Sequence, residues 1–82
     1  MALNRAVAVG ALDGPSAGLD ALAQVHLDDY QPYHAARADL LVRAGHTHEA
    51  ITAYDQAIAL TSNAAEREFL MRQREKAAGN RR

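Results

Sequence analysis

The chain has 82 residues, four histidines, no cysteine and a formal charge of −1. So short a chain buries a core worth about 3 to 5 kcal/mol net, and without cysteine it has neither a disulfide framework nor a thiolate metal site. No apolar run approaches membrane-spanning length and no charged-then-apolar leader opens the sequence, so a soluble, unexported, cytoplasmic protein is expected. The near-neutral total conceals an asymmetry: residues 1–62 carry three bases against seven acids, whereas residues 63–82 carry six bases against three acids.

In chain order, Leu3 to Leu12 reads as a helix whose Ala6, Val7, Gly10 and Ala11 offer small side chains for close packing. Asp13-Gly14-Pro15 then predicts a sharp corner, with glycine ending one helix and proline opening the next. Gly18, Leu19, Leu22, Val25 and His26 give a second stripe, so residues 3–26 form a helix pair. Leu27 to Gln31 is a connection in which Asp28 and Asp29 are expected to cap the helix that begins near Pro32.

The third helix carries Tyr33, Ala36, Leu40, Leu41 and Ala44 at offsets that share a face. Gly45 is placed to take the left-handed conformation that ends it, and Thr47 is expected to cap the fourth helix. That helix presents Ala50, Ile51, Tyr54, Ala57 and Ile58 as its apolar stripe. After the break at Thr61-Ser62-Asn63, Asn63 and Glu66 have capping-box spacing. Phe69 and Leu70 give a narrow apolar stripe, and Gly79 closes a fifth helix over residues 63–78 whose outer face carries Arg67, Glu68, Arg72, Arg74, Glu75 and Lys76.

The two pairs are related. A shift of 32 residues places Gly18 on Ala50, Leu19 on Ile51, Leu22 on Tyr54 and Val25 on Ala57. With Ala38 and Leu41 on the first helix of the second pair and Ala50, Tyr54 and Ala57 on its partner, residues 32–60 resemble a tetratricopeptide repeat, and residues 3–26 a degenerate one. His34, Arg37 and Ser62 stand where that motif usually has tryptophan, leucine and proline. The fold expected is therefore all-α, with two antiparallel helix pairs of tetratricopeptide-like repeats and a C-terminal capping helix in a single domain over residues 1–82.

Signs of chemistry are few. No serine nucleophile stands in a recognisable context and no glycine-rich phosphate loop is present. His46 and His48 are spaced for no more than a weak metal contact, which lacks a third ligand. His34 reads as a packed or groove-facing residue rather than a ligand. The basic tail is interleaved with Glu66, Glu68 and Glu75, which favours an ion-paired surface over nucleic-acid binding. No enzyme activity, cofactor or metal is expected.

Four segments in order carry a more specific resemblance. They are Leu3-Asn4-Arg5-Ala6-Val7-Ala8, Asp13-Gly14-Pro15 with Ala17-Gly18-Leu19, Tyr33-His34-Ala35-Ala36-Arg37-Ala38-Asp39-Leu40-Leu41, and Ala64-Ala65-Glu66-Arg67-Glu68-Phe69-Leu70. Together they resemble the C-terminal extension of bacterial extracytoplasmic-function-type sigma factors of the sigma-70 superfamily, in which promoter-binding domains precede a tetratricopeptide-like region. The resemblance implies a fragment of a longer chain, a non-catalytic regulatory module whose partners are its own upstream sigma domains or RNA polymerase, with neither nucleic acid nor membrane contacted directly. Arg74 stands where that family usually has an apolar residue. In a repeat array the first helix of each pair lines the concave side, which makes Asn4, Arg5, Ala35, Arg37, Asp39, Val42 and Arg43 the candidate protein-binding groove, with Arg37 and Asp39 as polar anchors. A free-standing scaffold that binds a peptide is the alternative the residues leave open.

Overall fold

The computed structural model describes residues 2–25 and 28–79, and among them every regular element is a helix. The five are α1 (Ala2–Asp13), α2 (Pro15–Leu22), α3 (Gln31–Arg43), α4 (Thr47–Leu60) and α5 (Ala64–Gly79). His26, assigned above to the second stripe, lies outside the described residues.

Glycine sets two corners. Gly14 takes φ 102°, a conformation that costs a side chain, and hands the chain to Pro15 at the first position of α2. Gly45 at φ 86° ends α3: its N–H bonds the Val42 carbonyl at 3.1 Å and the His46 N–H bonds the Leu41 carbonyl at 2.9 Å. That double closure satisfies carbonyls a helix end would leave orphaned. Both connections are so short that α1 with α2, and α3 with α4, fold back as hairpins.

Several expected ends differ. The second helix stops at Leu22, because Gln24 and Val25 bond the carbonyls of Ala21 and Leu22 in tight i to i+3 turns. Neither Asp28 nor Asp29 caps α3; Tyr30 holds the cap position in an extended conformation and no side chain completes it. Thr47 lies inside α4 rather than before it, with His46 at the cap position and no side-chain cap bond. At α5 the expected cap does form: Asn63 Oδ1 accepts the Glu66 N–H at 2.9 Å. The Glu66 carboxylate turns instead to the Thr61 hydroxyl, 3.1 Å away, while Arg67 donates to the Thr61 carbonyl at 3.1 Å. Thr61, 8% exposed, is thereby satisfied on both polar groups.

Packing is governed by small residues. Half of the twelve buried hydrophobic residues are alanines, namely Ala6, Ala38, Ala50, Ala53, Ala57 and Ala77. One cluster joins α3, α4 and α5 through Ala38, Leu41, Ala50, Ala53, Tyr54, Ala57, Leu70 and Ala77. The other joins α1, α2 and α3 through Leu3, Ala6, Leu22 and Leu40, and Leu19 packs against both. On α1 the inward residues are Leu3, Ala6 and Gly10; Val7 and Ala11, expected beside them, are exposed. On α5 the inward residues are Leu70 and Ala77, whereas Phe69 is 50% exposed. Adjacent helical residues point about 100° apart, so Leu70 takes the core position and turns Phe69 out. The chain occupies 32 × 29 × 16 Å, thin enough for helices to keep one face to water.

The α1–α2 crossing sits at two glycines. A Cβ on Gly18 would lie 2.7 Å from the Gly10 Cα, and one on Gly10 would lie 2.5 Å from Leu40 Cδ2. Alanine is worth about 1 kcal/mol more than glycine inside a helix, but at Gly18 its methyl meets backbone that cannot step aside, and overpacking costs about 1 to 3 kcal/mol. Gly18→Ala is therefore expected to lower the melting temperature despite its better helix propensity; a rise would mean the two helices do not approach here. Tyr54, only 5% exposed among alanines, should cost about 3 to 5 kcal/mol on truncation to alanine. Calorimetry of Tyr54→Ala, expected to show a large drop or no cooperative transition, checks it.

Candidate protein-interaction surface

The seven candidate groove residues do not form one surface. Asn4 and Arg5 are exposed on α1, off the face that carries Leu3, Ala6 and Gly10. Ala35 and Val42 are half-buried and packed against the α3–α4–α5 cluster, so their side chains serve the core. Asp39 and Arg43 pair with each other at 3.1 Å along one turn of α3, both about half exposed at 53% and 54%. An exposed pair of this kind contributes about 0.3 to 0.5 kcal/mol.

Arg37 is on another side. Two residues of helix turn a side chain through about 200°, so Arg37 and Asp39 diverge by about 160°. Arg37 is half-buried, and among the described residues it forms neither a hydrogen bond nor a salt bridge. The other arginines of α3 to α5 are all engaged: Arg43 with Asp39, Arg67 with the Thr61 carbonyl, Arg72 with Glu68 at 3.4 Å and Arg74 with Asp55 at 2.6 Å. The last of these gives Arg74 a partner on α4, which its place on the outer face of α5 did not anticipate.

Around Arg37 the surface is hollowed. A depression of about 380 Å³ lies between α3 and α4, lined by Tyr33, His34 and Arg37 on one side and His48, Glu49, Thr52 and Gln56 on the other, with Asp28 at its rim. It has two neighbours. One of about 370 Å³ shares Tyr33, Arg37 and Glu49 with it and reaches Leu19 and Leu22 of α2. Another of about 300 Å³ shares Asp28, His34 and Gln56 and ends at Ala59 and Leu60. The three form one trough across α2, α3 and α4.

His34 fixes its floor. The residue is 7% exposed and its ring meets Tyr33 edge to face, with centroids 5.1 Å apart. Its Nε2 donates to the Asp28 carbonyl at 2.6 Å, tying the segment before α3 to the helix. A carbonyl can only accept, so Nε2 carries a proton in that bond, while Nδ1 is buried and without a partner among the described residues. His46 and His48 face different depressions, and His46 Nδ1 lies 3.9 Å from Glu49. The trough was not anticipated as a site, although the 37-to-48 hairpin spacing and the i, i+4, i+8 series His48, Thr52, Gln56 are written in the sequence.

No family model matches the chain, and no solved structure matches it. An uncharacterized protein of Rhizobium meliloti (strain 1021) is 44% identical over 73 residues, a stretch that covers 87% of this chain but 17% of that protein. The chain thus spans about a sixth of the length of this relative. Among the described residues no helix is long and apolar enough to cross a membrane.

Asp39 also acts on Tyr54. The Tyr54 phenol is pushed above its ordinary 10.0, first by burial and second by the negative charge of Asp39. The fold therefore favours the neutral phenol, a contribution fully present below about pH 10 and lost as pH climbs through the raised folded value. Alkaline unfolding should set in above about pH 10, and Tyr54→Phe should remove Tyr54's share of that loss. Asp39→Asn should lower the Tyr54 titration midpoint, followed by ring NMR, without restoring the ordinary value, since burial is the larger cause. An unchanged midpoint would separate Asp39 from Tyr54.

Proposed function

We infer that this chain is a non-catalytic protein-interaction module, built as two tetratricopeptide-like repeats and a capping helix, from the C-terminal extension of an extracytoplasmic-function-type sigma factor. The observation that carries the interaction role is the trough: an open, mixed polar and apolar surface spanning three helices around an arginine that has no partner among the described residues. Surfaces of this kind recognise a polypeptide segment through a few placed polar groups flanked by apolar ones.

The repeat reading is supported by equivalent positions doing equivalent work. Gly18, on α2, meets the α1 backbone, and Ala50, 32 residues on and fully buried, packs in the cluster that holds Ala38 and Leu41 of α3. Small residues at both places let the second helix of each pair approach the first. The sigma-factor reading rests on the four ordered segments quoted above. A 44%-identical stretch inside a protein of which it is 17% is what a module of a longer chain would give. In that setting the module works in the cytoplasm on its own sigma domains or on RNA polymerase, without direct contact to promoter DNA.

The test is transcription in vitro by core polymerase and the full-length parent chain, with and without these 82 residues. Removal is expected to change initiation at a dependent promoter by about tenfold in either direction, the size of a typical coupling free energy between sites. Identical transcription by both chains, each shown to bind polymerase, would refute the reading.

A further inference from the structure

We propose that the Arg37 trough, on the side of α3 away from Asp39, is where the module takes its partner, and that the partner is an extended segment with one acidic side chain flanked by apolar ones. The proposal rests on the interaction role inferred above and adds the place and the chemistry. Arg37 is half removed from water and, among the described residues, makes no salt bridge even with Glu49 beside it, whereas Arg43, Arg67, Arg72 and Arg74 each have an internal partner. A guanidinium held in that state gains most from a ligand carboxylate, which it binds in a planar, charge-assisted fork.

The rest of the trough narrows the choice. Glu49 and Asp28 stand exposed at its rim, so a polyanion would meet two negative charges for each positive one. Nucleic acid and acidic tracts are disfavoured, and a single acid is accepted. At the two ends the lining turns apolar, to half-buried Leu19 and exposed Ala23 on one side and to exposed Ala59 and Leu60 on the other. Leu60, 40% exposed, has side-chain surface left to cover. Between them Gln56 supplies an amide and Thr52 a hydroxyl oxygen, its proton directed to the His48 carbonyl at 3.5 Å, that can pair with a peptide backbone. Along α4 from His46 to Leu60 the trough runs about 21 Å at 1.5 Å per residue, the length of about six extended residues.

The probe is a randomised heptapeptide display library, selected on the 82-residue chain and, in parallel, on Arg37→Glu and Asp39→Lys. The expected result is enrichment of sequences with one aspartate or glutamate between apolar residues. Synthetic copies should shift the amide resonances of Thr52, Gln56 and Leu60. Arg37→Glu should weaken them by about tenfold or more, and Asp39→Lys should leave them unchanged. Thr52→Trp, which fills the trough from α4 without adding charge, should block the same peptides, and the melting temperature of each variant shows that it is folded. No enrichment, or peptides indifferent to Arg37→Glu, overturns the proposal. Peptides that shift Asn4, Asp39 and Arg43 instead overturn the site while leaving an interaction module standing. A parent chain that transcribes identically without the module would sink the functional reading whatever the peptides do.

Discussion

Everything in this structure depends on how closely its helices can approach. A chain of 82 residues with one phenylalanine and no tryptophan has little bulk with which to fill space between helices. It closes that space from the other direction, by leaving side chains out. Gly10 against Gly18, and the alanines around Tyr54, let backbones come near enough that Leu22, Leu40, Leu41, Leu70 and one tyrosine suffice as filling. Such a core has no slack: a methyl added at Gly18 has nowhere to go, and a ring removed at Tyr54 leaves a hole that alanines cannot collapse to fill.

The same constraint makes α3 the keystone. It is the helix with buried residues in both clusters, Ala38 and Leu41 towards α4 and α5, and Leu40 towards α1 and α2. A helix packed on two sides has little circumference left, and what remains is divided. On one strip lie Asp39 and Arg43, which satisfy each other. On another lies Arg37, which nothing in the described chain satisfies. The electrostatic asymmetry of α3 therefore follows from its structural burden: the core takes its apolar faces and leaves two separate polar strips, of which, among the described residues, only one is electrostatically complete.

Much of the fold is legible in sequence because it is written in period and punctuation. Stripes at 3.6-residue spacing give the helices, and Gly14-Pro15 and Gly45 give the corners with their positive φ angles. What escapes is whatever depends on distance or on a single side chain's rotation. Thr47, Asp28 and Asp29 have capping chemistry, yet capping requires an oxygen to reach a particular N–H, which composition cannot guarantee. Arg74 and Asp55 are 19 residues apart, and nothing local foretells their 2.6 Å contact. His34 offers no local sign of its partner either: its bond to the Asp28 carbonyl, six residues back, tethers the segment before α3 to the helix.

The candidate surface was legible only in part, and the reason is instructive. Arg37 and Asp39 pair as anchors in sequence because both lie on α3, but membership of a helix is not membership of a face. At 100° per residue a two-residue separation sends side chains to nearly opposite sides, so no rigid surface on α3 can use both. Separating them leaves a choice that charge decides. Asp39 is already paired with Arg43, so a ligand there would have to compete with an existing partner. Among the described residues Arg37 has no such competitor, and the surface beside it is concave rather than flat. A binding site needs both unsatisfied polarity and shape, and on this chain the two coincide where α2, α3 and α4 meet.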